Sequence, residues 1–208
     1  VLFCGHVLRV CVRAFLAEDW LSHFWGPNSL VPSLKDGQDI AGMFKWFFGK
    51  GPRPQFDRYT YWEKFDYWAV FWGMFIIGGS GVLLWFPLFF AKVMPGWVFN
   101  IATLVHGEEA LLAVGFIFTI HFFNGHLRPE KFPMDLVIFT GRIPEHEMHE
   151  ERPVEYARLV QQGRLAAQEV GPPARGSILG GRILGGTALT LGIVTIVLII
   201  YSVLIKYS

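Results

Sequence analysis

Four long apolar runs, separated by two proline-broken polar segments, set the layout of this chain. The first covers Val1 to about Leu16 and extends, on the widest reading, to Trp25. The second runs from about Tyr67 to Phe90, the third from Trp97 to Phe123 and the fourth from Ile183 to Ile205. The last three are long enough to cross a hydrocarbon core of about 30 Å. Hydrocarbon offers the backbone no hydrogen-bond partners, so such runs must be helices unless they close into a barrel. None alternates as a barrel strand would. The fold class predicted is therefore all-α, an integral membrane helical bundle.

The polar segments carry their own signals. Pro27, Pro32, Pro52 and Pro54 cut the stretch from Glu18 to Phe65 into pieces. Between them, Ile40 to Phe48 suits a short amphipathic helix lying at headgroup level. Glu145 to Gln168 is polar and helix-compatible, and Gly171-Pro172-Pro173 ends it before the last span.

Composition agrees. Hydrophobic residues make up 52% of the chain and aromatic residues 16%, with eight Trp and twenty Phe. That excess suits bilayer interfaces and the walls of a flat cofactor better than a small soluble core. A net charge of +1 gives no basic stripe for nucleic acid. Cys4 and Cys11, seven apart in an apolar run, are expected to be small buried residues on one helix face. No CxxCH is present to attach a c-type haem.

Lys and Arg orient the spans. Lys35, Lys45, Lys50, Arg53, Arg58 and Lys64 follow the first run; Arg128, Lys131, Arg142, Arg152, Arg158, Arg164, Arg175 and Arg182 follow the third. The opposite side has Lys92 and Lys206. The positive-inside rule places both long loops in the cytoplasm and the Ala91–Gly96 turn outside. The chain opens on Val1, already inside an apolar run, and the expectation is an upstream helix preceding it.

Chemistry concentrates in the histidines. His106 and His121 are fifteen residues apart in a run without Lys or Arg. On an ideal α-helix they lie about 22 Å apart along the axis and about 60° apart around it. One span would thus offer two nitrogen ligands on one face at two depths, which suits two haems stacked across a membrane. The alternative for each is a hydrogen bond to a neighbouring helix. His6, if its helix continues to Trp25, matches His106 in depth. His126 is rotated by about 140° from His121 and fits the interface, near a propionate or a quinone headgroup, or as a solvated residue; His23 is a weaker case of the same kind. His146 and His149, in Glu-His-Glu-Met-His-Glu, lack HExxH spacing and read first as a solvated helix face.

Other groups are open to two readings. Gly73, Gly78, Gly79 and Gly81 permit either close helix packing or a macrocycle against bare backbone. Glu108 and Glu109 lie within a turn of His106 and either tune its imidazole, form a proton path or reach the interface. Arg9, Arg13, Arg58 and Arg128 suit haem propionates, or snorkel to headgroups.

Several of these motifs resemble the bacterial cytochrome b561-like family of membrane cytochrome b subunits. They are Tyr61-Trp-Glu-Lys-Phe-Asp-Tyr-Trp68, Trp72-Gly73, Gly79-Ser-Gly-Val-Leu-Leu-Trp-Phe-Pro87, His106-Gly-Glu-Glu-Ala110 and His121-Phe-Phe-Asn-Gly-His126-Leu-Arg-Pro-Glu-Lys-Phe-Pro133. Similar proteins serve formate dehydrogenase, nickel-iron hydrogenase and thiosulfate reductase. The resemblance covers residues 1–142 as a cytochrome domain whose first core helix has no counterpart here. Residues 143–180 follow as a cytoplasmic helix and linker, and 181–208 as an extra C-terminal transmembrane helix.

The resemblance implies a four-helix core holding two b haems, with His6, His106 and His121 as ligands. The second haem would be completed from outside this sequence. Arg9, Arg58, Arg128 and Glu109 would then meet propionates or tune the ligands, and His126 and Asn124 are candidates for a quinone or menaquinone site.

The function so implied is electron relay across a bacterial inner membrane. It would run between the quinone pool and a periplasmic partner, a multihaem cytochrome c or an iron-sulfur subunit, in a hetero-oligomeric respiratory or photosynthetic oxidoreductase. Two rivals remain open: a non-redox membrane anchor with degenerate haem sites, and a transporter or proton channel using His106, Glu108, Glu109 and His121 as a relay.

Overall fold

The computed structural model describes residues 2–16 and 24–206. Every regular element among them is helical. In chain order they are α1 (Leu2–Leu16), α2 (Leu34–Phe47), α3 (Tyr61–Trp85), a single turn α4 (Pro87–Phe90) and α5 (Trp97–Phe116). Then come α6 (Val137–Thr140), α7 (Glu145–Glu151), α8 (Pro153–Gln161), α9 (Leu165–Gln168) and α10 (Arg175–Lys206).

Three helices are long and apolar enough to cross a membrane: Tyr61–Trp85, Trp97–Leu127 and Arg175–Ile205. The chain is a membrane protein by this measure. The described residues bury only two hydrophobic side chains, Phe56 and Ala102. Side chains such as Phe75, Leu104 and Leu204 stand open along the spans. Water would penalise that much exposed apolar surface heavily, whereas hydrocarbon does not.

Two of the three spans begin earlier than hydropathy alone suggests. The second run was expected from about Tyr67. The helix instead starts at Tyr61, capped by Thr60. Glu63 accepts from the Thr60 amide at 2.8 Å and from its hydroxyl at 2.8 Å, and the Glu63 amide donates back to the Thr60 oxygen at 3.3 Å. This reciprocal cap satisfies amides that a helix start would otherwise orphan. The same run ends at Trp85 rather than Phe90. Pro87 forces Phe86 out of helical geometry, to φ −119° and ψ 51°. The last span, expected from Ile183, starts at Arg175, directly after the Gly-Pro-Pro break. The first run is helical over Leu2–Leu16; its expected extension to Trp25, like His23, involves residues 17–23, outside the described ones. Cys4 and Cys11 are exposed, not buried as expected.

The structure divides into two units. One comprises Val1–Ala69 with Pro144–Glu169, the other Val70–Ile143 with Val170–Ser208. In the first, the polar segments pack on each other through ion pairs. Arg58 meets Glu155 at 3.1 Å, Arg158 meets Asp57 at 2.6 Å and Arg152 meets Glu63 at 3.6 Å. The Val154 amide donates to the Phe56 carbonyl at 3.2 Å. Glu155 is buried, and Arg152 lies 4.0 Å from its second oxygen. A buried carboxylate is tolerable when cations surround it in this way. The expected single helix over Glu145 to Gln168 is three short ones, because Pro153 restrains Arg152 and Gly163 turns at φ +64°.

In the second unit α10 is the packing platform. Gly181, Gly185 and Gly192 leave room on α10 for larger side chains. A Cβ at Gly181 would lie 3.0 Å from Phe139, one at Gly185 would lie 2.7 Å from the Met134 sulfur, and the Phe122 ring occupies the place of a Cβ at Gly192. Small residues on one helix thus receive large ones from the chain around α5, the usual way membrane helices approach closely. Arg142 closes the loop before α10, donating to the carbonyls of Gly171 and Pro172.

Candidate functional site

Within the second unit, His106 is held by α3. Its Nδ1 lies 2.9 Å from Ser80 Oγ, and Ser80 is buried. The serine hydroxyl has one proton, and it points at the Ile76 carbonyl at 2.5 Å, with Ile77 at 3.2 Å. With the proton there, the oxygen accepts from His106, the arrangement that goes with the tautomer protonated at Nδ1 and bare at Nε2. Nε2 has no hydrogen-bond partner among the described residues. Gly81 completes the seat. A Cβ there would meet His106 Cε1 at 3.3 Å, so any side chain would press on the imidazole. Ser80 and Gly81 were visible in the sequence, but their pairing with His106 was not. It depends on how α3 and α5 lie together.

Gly73, Gly78 and Gly79 have nothing within 4 Å of a would-be Cβ. Among the described residues they therefore serve no close helix contact, and their backbone lies open. Glu109 is half-buried and Glu108 exposed.

Beyond Phe116 the helix widens. Ile117–His121 and Phe123–Leu127 are π-helical turns, separated by Phe122. Such widenings are rare and often mark functional sites. They also change phase. An i→i+5 turn advances about 82° per residue rather than 100°. Over the five residues to His121 this moves the offset from His106 from about +60° to about −30°. The two histidines still share a face. The same correction brings His126 to about 70° from His121 instead of 140°. His121 is exposed on the widened turn.

His126 departs from expectation in its surroundings. It is neither solvated nor open at an interface, but buried. Its Nδ1 donates to the Pro133 carbonyl at 3.2 Å, and its ring stands edge-on to Phe122 at 5.5 Å. The Asp135 amide donates to the Gly125 carbonyl at 2.8 Å, and buried Lys131 pairs with Asp135 at 3.8 Å. His126 thus fastens the Pro-Glu-Lys-Phe-Pro segment beneath the widened helix end. Asn124 beside it keeps a buried Nδ2 with no hydrogen-bond partner.

In the first unit, His6 is exposed and its Nε2 lies 3.2 Å from the Tyr67 hydroxyl, with the rings edge-to-face at 5.8 Å. Its Nε2 is therefore occupied by the Tyr67 hydroxyl in this structure. Arg58, a propionate candidate, is committed to Glu155 and stacks over Tyr59 at 5.6 Å. Burial alone would lower the Arg58 pKa, but its contacts with Tyr59 and Glu155 outweigh that and raise it. Arg9 is exposed and Arg128 half-buried. His149 packs edge-on against Tyr156 at 4.9 Å, so the Glu145–Glu151 helix face is partly covered by its neighbour. Among the described residues no three His, Cys, Asp or Glu side chains gather to hold a bare metal ion.

A planar iron cofactor needs one or two imidazoles, with a fixed tautomer and clearance beside the ring. His106 with Ser80 and Gly81 fits that requirement. No protein-family model matches the chain, and no curated protein or solved structure matches it.

Proposed function

We propose that the chain is a membrane b-type cytochrome subunit that relays electrons across the bilayer. The observation that carries this reading is the His106 seat. A histidine inside a transmembrane helix is costly and wants a functional reason. Here Ser80 accepts a hydrogen bond from Nδ1–H, Gly81 clears its edge, and Nε2 is left as an electron-pair donor. His121, on the same face at a second depth, is the second ligand, and His6 the third. The open backbone at Gly73, about 20° around α3 from Ser80, supports a flat ring lying on the His106 side of that helix. Haem b, when bound, supplies reversible one-electron chemistry at iron.

The protein's own share is to hold imidazole nitrogens in register, exclude water and tune basicity through Ser80. Arg9, Arg128 and Glu109 would meet propionates or adjust the ligands; Arg58 would have to leave Glu155 to do so. Asn124, with its unpaired amide, and His126 are the quinone-side candidates. The four-helix core, the bacterial inner membrane, the cytoplasmic placement of the long loops, a quinone or menaquinone substrate and a periplasmic cytochrome c or iron-sulfur partner belong to this proposal. Two crossings by α3 and α5 return the chain to the side it left. The packing of both polar segments in one unit is in keeping with that topology.

One observation favours a second reading, a membrane anchor without redox function. The Nε2 of His6 is held by Tyr67. A dithionite-reduced minus oxidised spectrum with pyridine-haem quantification separates the two. Wild type should hold b haem, with one haem lost in His106→Ala and another in His121→Ala. A folded preparation without haem would refute the cytochrome and favour the anchor.

A further inference from the structure

The helix α2 carries an apolar stripe that no described residue covers. At about 100° per residue, Leu34, Gly37, Ala41 and Phe44 fall within an arc of about 80°, and Phe48 extends the stripe at the helix end. Leu34 is 90% exposed, Phe44 64% and Phe48 67%. Gly37 has nothing within 4 Å. The opposite face holds the helix's two acids, and both are occupied. Buried Asp36 pairs with Lys64 at 2.9 Å, and Asp39 with Lys35 at 2.7 Å. The end of α2 is sealed at Gly49, at φ +67°. Its amide donates to the Trp46 carbonyl at 2.9 Å, and that of Lys50 to the Lys45 carbonyl at 2.7 Å.

Beside the stripe runs a cleft bounded by Gln38, Gly42 and Lys45 of α2 and by the strap Gly51–Gln55. Gly42 makes it possible, since a Cβ there would lie 2.7 Å from the Pro54 ring. Lys45 and Arg53 line the cleft from its two sides, and Arg53 stacks over Trp46 at 5.8 Å. Lys50 follows within the same turn. The acids being paired away, the outward charge of this region is positive.

We propose that α2 lies in the membrane interface as an anionic-lipid site. The Leu34–Phe48 stripe enters the acyl boundary, and Lys45 and Arg53 hold a headgroup phosphate in the adjoining cleft. An apolar face bordered by basic residues is the pattern of helices that lie in the headgroup layer. The occupant follows from charge complementarity. A zwitterionic headgroup brings a phosphate already offset by its own cation, whereas an anionic headgroup brings an uncompensated charge for Lys45 and Arg53 to pair with.

The test uses the full chain in a Cys4→Ser/Cys11→Ser background, spin-labelled through Ala41→Cys. It is placed in nanodiscs of phosphatidylcholine alone or with added phosphatidylglycerol. The expected result is a label open to oxygen and closed to a water-soluble nickel chelate, more so in the anionic disc. Native mass spectrometry of the otherwise unaltered chain should then show phosphatidylglycerol retained over phosphatidylcholine. Lys45→Gln/Arg53→Gln should reduce that preference by about 25-fold, at about fivefold per charge near an anionic surface. A label freely reached by nickel in both discs overturns the proposal, as does a label shielded from both reagents, which would mean protein covers the stripe. Equal insertion in both discs, or unchanged lipid preference in the double variant, removes the anionic site.

Discussion

Ser80→Ala tests the tautomer argument on which the site rests. On that argument the wild-type hydroxyl donates a hydrogen bond to the Ile76 carbonyl at 2.5 Å and accepts one from His106 Nδ1–H at 2.9 Å. Alanine removes the acceptor and leaves an imidazole N–H unpaired beside α3. Leaving such a group unsatisfied costs about 1–3 kcal/mol. Losing the partner of a ligating imidazole costs about 10–100-fold in metal affinity, which is about 1.4–2.8 kcal/mol, so the two estimates agree. Haem affinity at the His106 site should therefore fall about 10–100-fold in Ser80→Ala. Ser80→Thr, which keeps a hydroxyl, should restore most of it. The haem-free protein gives an independent readout through ¹⁵N-histidine NMR. His106 should show a protonated Nδ1 and a bare Nε2 in wild type, shifting toward the other tautomer in Ser80→Ala. A wild-type His106 protonated at Nε2, or an alanine variant with unchanged tautomer and affinity, refutes the reasoning.

Two further outcomes are expected. Gly192→Ala places a methyl where the Phe122 ring sits and should destabilise the fold by about 1–3 kcal/mol, as overpacking does. Gly180→Ala, with open space at its Cβ, is the control, and equal thermal melts would contradict the α10 packing. Asp36→Asn loses charged hydrogen bonds from Lys64 and Ser33, for about 2 kcal/mol. Burial raises the Asp36 pKa, but those bonds outweigh it and hold the carboxyl below its usual value. Its contribution is therefore present above the unfolded carboxylate pKa of about 3.9 and lost as pH falls through the lower folded one. Melts of wild type and Asp36→Asn should differ at neutral pH and converge below about pH 4; a difference that persists in acid contradicts the assignment.

Hydropathy and length are local properties, and they were enough to place three crossing helices and to exclude strands. Thr60-Tyr-Trp-Glu63 is a capping signal written in the chain, and it explains why α3 begins six residues before the apolar run expected from Tyr67. Pro87 likewise announces the break at Phe86. The His106 and His121 positions on a shared face were legible because both lie on one helix, where spacing converts directly to angle. That conversion assumes a regular helix, and nothing local in Ile117–Leu127 announces the two π turns that shift its phase.

Everything that needs two helices at once came from tertiary structure. Spacing places His106 inside an apolar helix long enough to cross a membrane; only the approach of α3 brings Ser80 and Gly81 to it. Three glycines of α3 and three of α10 look alike along the chain and have opposite uses. Gly73, Gly78 and Gly79 stand open, while Gly181, Gly185 and Gly192 receive Phe139, Met134 and Phe122. Whether Arg58 is free or committed to Glu155, 97 residues away, is likewise invisible along the chain. Local sequence determines what can enter a bilayer, because transfer free energy adds residue by residue. Which side chains meet across helices depends on packing geometry, which no single segment encodes.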